Sequence, residues 1–421
     1  MDEEVIVTIK EFFDIPLKFC LTLGIRLYKW SETERTTILQ VCLLSNLLLH
    51  TSVYPFFLVI YQIKIDPNDL LGRTSSLAIS LFCVNAVSKI LFVARHYKDL
   101  RKIIHKLIKY FPTTSGGQKN FNLHYEFKTM RRVSSIMLWT HLITAVLFDF
   151  TPPITFGIEY MNSGGKKEFN FILPYGIWYP WDHEDSAIMF VFTYMTQLLG
   201  SYVAVVSFVV PDLLLISVVA LANMNFRYIS KLIREFHPTG TNEDFKSLGQ
   251  ILHYHDDILN MIDEVNDVFS FSVLLSFFGF GGLLCLVAFN AVVGSSMLDI
   301  FSQTLFILSI LLIMYYLSAY GTEMIRLVNG NGNEIEMKFK TRQKQTIFQS
   351  TDVSVALTDH PWYDGSIHYQ RMLPFPIARA QRPAQLLGYK FFVVSMESFQ
   401  SLMTTSYQLF TLIKARYDED N

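Results

Sequence analysis

Six polar residues fall at helical spacing inside the last long apolar run of this chain: Glu397, Ser401, Thr404, Thr405, Gln408 and Thr411. Stepped at about 100° per residue, they gather in one stripe, with Leu412 near the outer end of the same face. The opposite face carries Met396, Phe399, Leu402, Leu409, Phe410 and Ile413. An ionisable side chain facing lipid costs on the order of 3 kcal/mol, so the stripe needs polar company. Two chemistries satisfy it. The polar face hydrogen-bonds neighbouring helices inside a bundle, or it lines a water-filled ion path that an apolar constriction closes by dewetting. The stripe alone leaves both open.

Other reactive residue types are sparse. His253, His255, Asp256 and Asp257 form the one cluster with metal-ligating side chains, on a charged helical stretch. That spacing is weak for a metal and reads as a solvated face. No convergent nucleophile, base and oxyanion donors are recognisable, so no enzyme, cofactor or metal is expected. Cys20, Cys42, Cys83 and Cys285 all lie in or beside apolar runs, which argues against a disulfide framework in loops. The start Met-Asp-Glu-Glu lacks the basic and small-residue pattern of a cleaved signal, so the first membrane helix is expected to direct insertion. No internal repeat points to a secondary transporter. A formal net charge of −2 gives no support for nucleic-acid binding.

The elements that must position these residues are membrane helices. Hydrophobic residues make up 51% of the 421-residue chain and charged ones only 17%. A soluble domain carries about 25% charged residues, so lipid is the main solvent here. Runs of roughly 20 apolar residues span a bilayer. Seven are predicted: Thr36–Ile63, Thr74–Ala94, Val133–Phe150, Ser186–Ala222, Asp267–Val293, Ile300–Ile325 and Phe391–Ile413. A further stretch, Phe12–Leu27, contains Pro16, Lys18 and Arg26 and is expected to lie at the cytoplasmic interface as an amphipathic helix. The segments between spans, taken alternately, hold 28 Lys and Arg on one side and 6 on the other, with Lys89 inside a span. Positive charge stays inside, which puts the N-terminus in the cytoplasm and the tail outside. A G-protein-coupled receptor has the reverse orientation.

The fourth span is predicted to continue through Asn223–Phe236, and an amphipathic seam (Phe245, Leu248, Leu252, His255, Leu259, Ile262, Phe269) precedes the fifth. Packing within the chain and contact with another subunit both account for such seams. Asn329–Asn333 reads as a turn-rich spot and Lys338–Lys344 as a solvated basic loop. The expected divisions are 1–35, a cytoplasmic segment with an interfacial helix; 36–325, six spans with their cytoplasmic extensions; 326–390, a cytoplasmic loop and anchor helix; and 391–421, the seventh helix and tail.

Several stretches resemble the insect odorant receptor family. They are Asp359-His-Pro-Trp-Tyr363, Ala378-Arg-Ala-Gln-Arg-Pro383, Phe391-Phe392, Ser395-Met-Glu-Ser-Phe399 and Ser406-Tyr-Gln-Leu-Phe-Thr-Leu-Ile413, with Leu173-Pro-Tyr-Gly-Ile-Trp-Tyr-Pro-Trp-Asp182 in the second outer loop. The last helix ends Thr-Leu-Ile-Lys and lacks the Thr-Tyr and Gln-Phe pair of the sister gustatory receptors. Val328–Gln349 is longer than the family's third inner loop usually is. The resemblance implies an all-α membrane protein with seven transmembrane helices, a cytoplasmic N-terminus, an extracellular C-terminus and long helices reaching into a cytoplasmic anchor domain. It implies a ligand-tuning subunit of a non-selective cation channel, in a heterotetramer with the odorant co-receptor. The ligand is a small volatile organic molecule, and the location is the plasma membrane of a sensory dendrite or cilium.

Carried over residue by residue, the resemblance places Leu412 on the family's hydrophobic gate and Gln408 one turn below it. Ser401, Thr405 and Thr411 join them on the pore wall. Trp362, Tyr363, Arg379 and Arg382 fall in the inner anchor, where subunits meet. The family's volatile site lies in the outer half of spans two to six, and such a site is mostly apolar with a few polar groups. Candidates at that depth are Phe82, Asn85, His141, Ala145, Phe148, Tyr194, Gln197, Asn290 and Phe306. An ester or an alcohol could share a hydrogen bond with His141, Tyr194, Gln197 or Asn290, and the choice stays open. The aromatic outer loop Thr151–Asp185 is expected to anchor at the interface, with a lid over the site as a second role.

Overall fold

The computed structural model describes residues 6–28, 37–66, 69–164, 166, 172–184, 186–294, 297–329, 353–381 and 384–420. Two short helices, α1 (Ile9–Phe12) and α2 (Asp14–Thr22), open the chain. They are followed by α3 (Ile38–Lys64), α4 (Leu70–Arg95), α5 (Tyr97–Tyr110), α6 (Ser115–Asn120) and α7 (Leu123–Asn162). Next come α8 (Ala187–Arg234), α9 (Asn242–Val293) and α10 (Met297–Asn329). Among the described residues, six helices are long and apolar enough to cross a membrane: α3, α4, α7, α8, α9 and α10. A C-terminal helix, Met396–Asp420, follows, among the described residues, three short α-helices, one 3-10 turn and a two-stranded hairpin of β1 (Leu387–Gly388) and β2 (Phe392–Val393). It is long enough to span, at roughly 37 Å, and its polar stripe keeps it off the apolar set.

Helix α8 is the central post. Its most apolar stretch is 94% buried inside the protein, against 17% for α3. A helix that is apolar on all sides has to be enclosed, and α4, α7, α9 and α10 pack around it. One charged pair sits inside this core. Lys89 Nζ donates to Asp212 Oδ2 at 2.6 Å and to the Phe208 carbonyl at 3.2 Å, between the Phe208 and Phe280 rings. Pairing and a second oxygen acceptor are what make a buried charge tolerable.

The cytoplasmic half is built from the extensions of α7, α8 and α9. Leu248, Leu259, Ile262 and Phe269 of the α9 seam are buried within the chain, which uses that seam for its own packing. His255 belongs to the seam too, buried against Phe226, while His253 is exposed, so the cluster is not one solvated face. No group of three or more His, Cys, Asp or Glu side chains is arranged for a metal among the described residues. Of the turn-rich spot, residues 330–333 lie outside the described residues, as does the whole of Lys338–Lys344.

Several boundaries differ from the sequence expectation, and three differences stand out. Helix α7 runs twelve residues past Phe150, through Pro152 and Pro153 to Asn162, so the outer loop begins there and not at Thr151. Proline removes a helical donor. Pro153 leaves the Asp149 carbonyl without its usual partner, and the Tyr194 hydroxyl donates to it at 2.6 Å. The seventh span begins at Met396 rather than Phe391, because Phe392–Val393 pairs with Leu387–Gly388. Ser395 Oγ accepts from the Ser398 amide at 3.2 Å, and Thr322 Oγ1 accepts from the Met396 amide at 2.8 Å, satisfying helix-end donors. Finally, Phe12–Leu27 is not one continuous helix. It breaks at Phe13, and Phe13, Cys20 and Leu23 are buried in the main core, with α2 packed on α7 and α8.

Candidate ligand cavity and outward polar stripe

A cavity of about 550 Å³ opens in the outer half of the bundle. Helices α3, α4, α7, α8, α9 and α10 line it together with the outer loop. Of the residues expected there, Phe82, His141, Ala145, Phe148, Gln197, Asn290 and Phe306 are in the wall. Ring contacts organise the aromatic part: Phe306 lies 5.5 Å from Phe82 and 6.0 Å from Phe148, and Phe82 lies 4.5 Å from Phe208. Asn85 is not in the wall. It turns to α9, where its amide donates to the Leu275 carbonyl at 3.4 Å. Tyr194 is not in the wall either, because its hydroxyl holds the Asp149 carbonyl.

Gln197 reaches the cavity but its polar atoms are engaged. Its Oε1 accepts from the Tyr175 amide at 3.1 Å, and its Nε2 donates to the Tyr175 carbonyl at 3.0 Å and to the Tyr179 hydroxyl at 3.1 Å. This amide therefore pins the outer loop across the cavity. Leu58, Ile177 and Tyr179 bury a small apolar cluster there, with Tyr54, Phe57 and Trp181 packed around it. Trp181 is tied down through Nε1 to Thr193 Oγ1 at 2.9 Å. Tyr175 and Ile177 thus roof the cavity, while Phe169 and Phe171 lie outside the described residues. Residues the sequence reading missed are His50 and Tyr54 on the first span and Ser207 on the fourth. Nothing in their spacing marks them, since only the approach of α3 to α8 brings them to the cavity.

The C-terminal helix packs on α9 and α10 through Phe399, Leu402, Met403 and Ser406. Gly281 of α9 allows close approach: a Cβ there would stand 3.1 Å from Leu402 Cδ1 and 3.5 Å from Ser406 Oγ. The opposite face points away from the protein's own bundle and is exposed. It carries Glu397, Ser401, Thr404, Thr405, Gln408, Thr411 and Leu412. Leu409 is on the exposed side as well, at 43%, and not with the apolar face as expected. Thr405 Oγ1 donates to the Ser401 carbonyl at 3.0 Å and Thr411 Oγ1 to the Gln408 carbonyl at 2.8 Å, so these hydroxyls take no neighbouring helix.

In the cytoplasmic part, Trp362 is 39% and Tyr363 66% exposed. Arg379 pairs with Asp256, Nη2 to Oδ1 at 3.0 Å, within the chain. Arg382 lies outside the described residues.

A seven-helix membrane protein with a roofed apolar cavity in its outer half is the class these features define. The chain belongs to the insect odorant receptor family: the family described as 7tm Odorant receptor matches residues 71–330 and 344–407. It is 27% identical to Odorant receptor 67c of Drosophila melanogaster over 98% of each chain. It is also 27% identical to Putative odorant receptor 92a of the same species, over 99% of this chain and 97% of that one. Its fold matches the insect olfactory receptor OR5 from Machilis hrabei in complex with eugenol. There the TM-score is 0.75 at 12% identity, covering 96% of this chain and 98% of the other. With the fold established, the C-terminal helix is the seventh membrane helix, the N-terminus is cytoplasmic and the C-terminus extracellular. The family is one of receptors and not of enzymes.

Proposed function

We propose that this chain is the ligand-tuning subunit of an odorant-gated, non-selective cation channel. It binds a small volatile molecule in the roofed cavity and assembles with odorant co-receptor subunits, as a heterotetramer in the plasma membrane. The observation that carries this reading is the exposed polar stripe of the seventh helix. A membrane helix cannot hold Glu397, Thr405 and Gln408 against lipid cheaply. Among the described residues, no neighbouring helix of the same chain covers them. Water on that face, in a path shared with other subunits, does. Ser401, Thr405, Gln408 and Thr411 then line the path and Leu412 closes it. Eugenol, the ligand of the structurally similar receptor, is the kind of small molecule the cavity volume accommodates.

Packing connects the two sites. Phe82 touches Phe208, Phe208 lies 5.3 Å from Phe280 of α9, and Gly281 beside it meets the seventh helix. A ligand that repositions Phe82 has a continuous path of contacts to the pore wall. Trp362 and Tyr363, exposed on the anchor, supply aromatic area for the neighbouring subunit; Arg379, whose charge Asp256 already pairs, and Arg382 belong to the same proposed contact.

The test is whole-cell recording from cells expressing this chain with the odorant co-receptor during exposure to a volatile panel. A cation current arising within milliseconds and insensitive to G-protein block is expected. Silence across a broad panel, with both subunits at the surface, overturns the reading.

A further inference from the structure

We infer that the deep end of the cavity selects molecules that donate a hydrogen bond, neutral alcohols and phenols, over ethers, esters and carboxylic acids of the same skeleton. The inference rests on the reading of this cavity as the ligand site. It follows from where the hydrogens of its wall are already spent.

His141 is 2% exposed and borders the cavity. Its Nδ1 lies 2.8 Å from the Met137 carbonyl. A carbonyl only accepts, so Nδ1 carries the hydrogen. The Nε2 atom is sealed from solvent and has no partner among the described residues. A second proton would create a buried cation with no carboxylate among its partners, which is expensive. Nε2 therefore keeps an unmet lone pair within the cavity wall. Thr144 lines the same region and its hydroxyl hydrogen goes to the Thr140 carbonyl at 2.8 Å. Ser201, nearer the roof, gives its hydrogen to Asp149 Oδ2 at 3.1 Å and already accepts from the Tyr175 hydroxyl at 3.3 Å. What His141 and Thr144 have left to offer is acceptor capacity. Ser207 Oγ, buried without a partner among the described residues, is a rotor that serves either role.

Charge points the same way. Among the described residues no Lys or Arg lines the cavity, and its two carboxylates are Glu159 and Asp299. An ionised acid entering past them meets like charge and finds no cation. The amide side chains of Asn290 and Gln303 also line the wall, at the outer ends of α9 and α10 and so away from the deep end. An ether or ester at the deep end would set its oxygen against the His141 lone pair and leave that acceptor unmet, with Ser207 alone, among the described residues, able to donate to it. An alcohol or phenol fills the unmet acceptor, and an unmet buried polar group is what makes such discrimination steep.

The experiment uses the purified full chain and a panel of C6–C10 alcohols and alkylphenols, each with its methyl ether, its acetate and the amine of the same skeleton. Ligand-induced shifts in melting temperature give relative affinities, and currents with the co-receptor are recorded in parallel. Each alcohol is expected to bind about tenfold more tightly than its ether or acetate, the worth of one hydrogen bond. His141→Leu is expected to shrink that ratio toward one, and His141→Gln, which keeps an acceptor, to retain part of it. Ethers or acetates equal to their alcohols in the wild-type chain overturn the proposal, as does a preference for the amine or binding of no member by a chain that melts cooperatively. Binding preference and current separate the two claims: alcohol-selective binding without current upholds the cavity chemistry and counts against the channel.

Discussion

The hydroxyl of Tyr194 and the amide of Gln197 face the same end of the bundle, yet neither is free for a ligand. Tyr194 holds the carbonyl that Pro153 leaves open in α7, and Gln197 holds the roof. The first assignment predicts that Tyr194→Phe lowers stability by about 1 kcal/mol or more, because a buried carbonyl loses its partner. Thermal unfolding of the purified chain checks this; an unchanged midpoint would show the carbonyl to be satisfied otherwise. At the opposite functional end, Leu412 is 67% exposed on the outward stripe. On the pore reading, Leu412→Ala shortens the apolar constriction and raises ligand-independent current several-fold. A closed-state conductance equal to wild type would remove Leu412 from the gate. Both residues were visible in the sequence as polar or apolar side chains at membrane depth. Which partner each one faces was not, because partners come from helices far away in the chain.

At the level of elements, the start of the seventh helix is the instructive case. Apolarity runs on through Phe391 to Val394, so hydropathy extends the span upstream. The backbone instead turns into a hairpin, and Ser395 with Ser398 marks the true helix start. Seven spans were legible because lipid demands apolar length of any crossing helix. Their ends were less so, since caps, hairpins and tolerated prolines operate within a residue or two. The hairpin seats on α10 at Gly321, where a Cβ would stand 2.4 Å from the Val394 carbonyl oxygen. Backbone cannot yield there as a side-chain tip can. Gly321→Ala is therefore expected to push the hairpin off α10 and cost on the order of 2 kcal/mol as overpacking. Hydrogen exchange across residues 392–400 would speed up. Protection as in the wild type would mean that the junction gives way elsewhere.

For the whole molecule, the cytoplasmic anchor has its own pH response. His360 is buried beside Tyr369, with Nδ1 donating to the Leu357 carbonyl at 2.9 Å and Nε2 accepting from the Tyr369 hydroxyl at 2.7 Å. Burial lowers its pKa from the ordinary 6.5. The unfolded anchor thus takes up a proton as pH falls through about 6.5, while the folded one does not until lower pH. Stability conferred by the neutral ring is complete above that value and declines below it. Hydrogen exchange over residues 353–373, corrected for intrinsic rates, should show weaker protection at pH 5.5 than at pH 7.5. Equal protection would show that the ring does not govern the anchor.

Hydropathy and the 28-to-6 charge asymmetry were sufficient for the class, the seven crossings and their orientation, because the bilayer acts on each segment separately and on its flanks. The polar stripe was likewise legible as a stripe, from period alone. Its direction was not. A helix with one polar face satisfies the same sequence pattern whether it turns inward or outward, and the packing of Gly281 against Leu402 and Ser406 is what turns it out. The cavity belongs to the same class of facts. Its wall joins six helices and a loop brought together from residues 50 to 306, and its free acceptors exist only once His141 and Thr144 have given their hydrogens to the Met137 and Thr140 carbonyls.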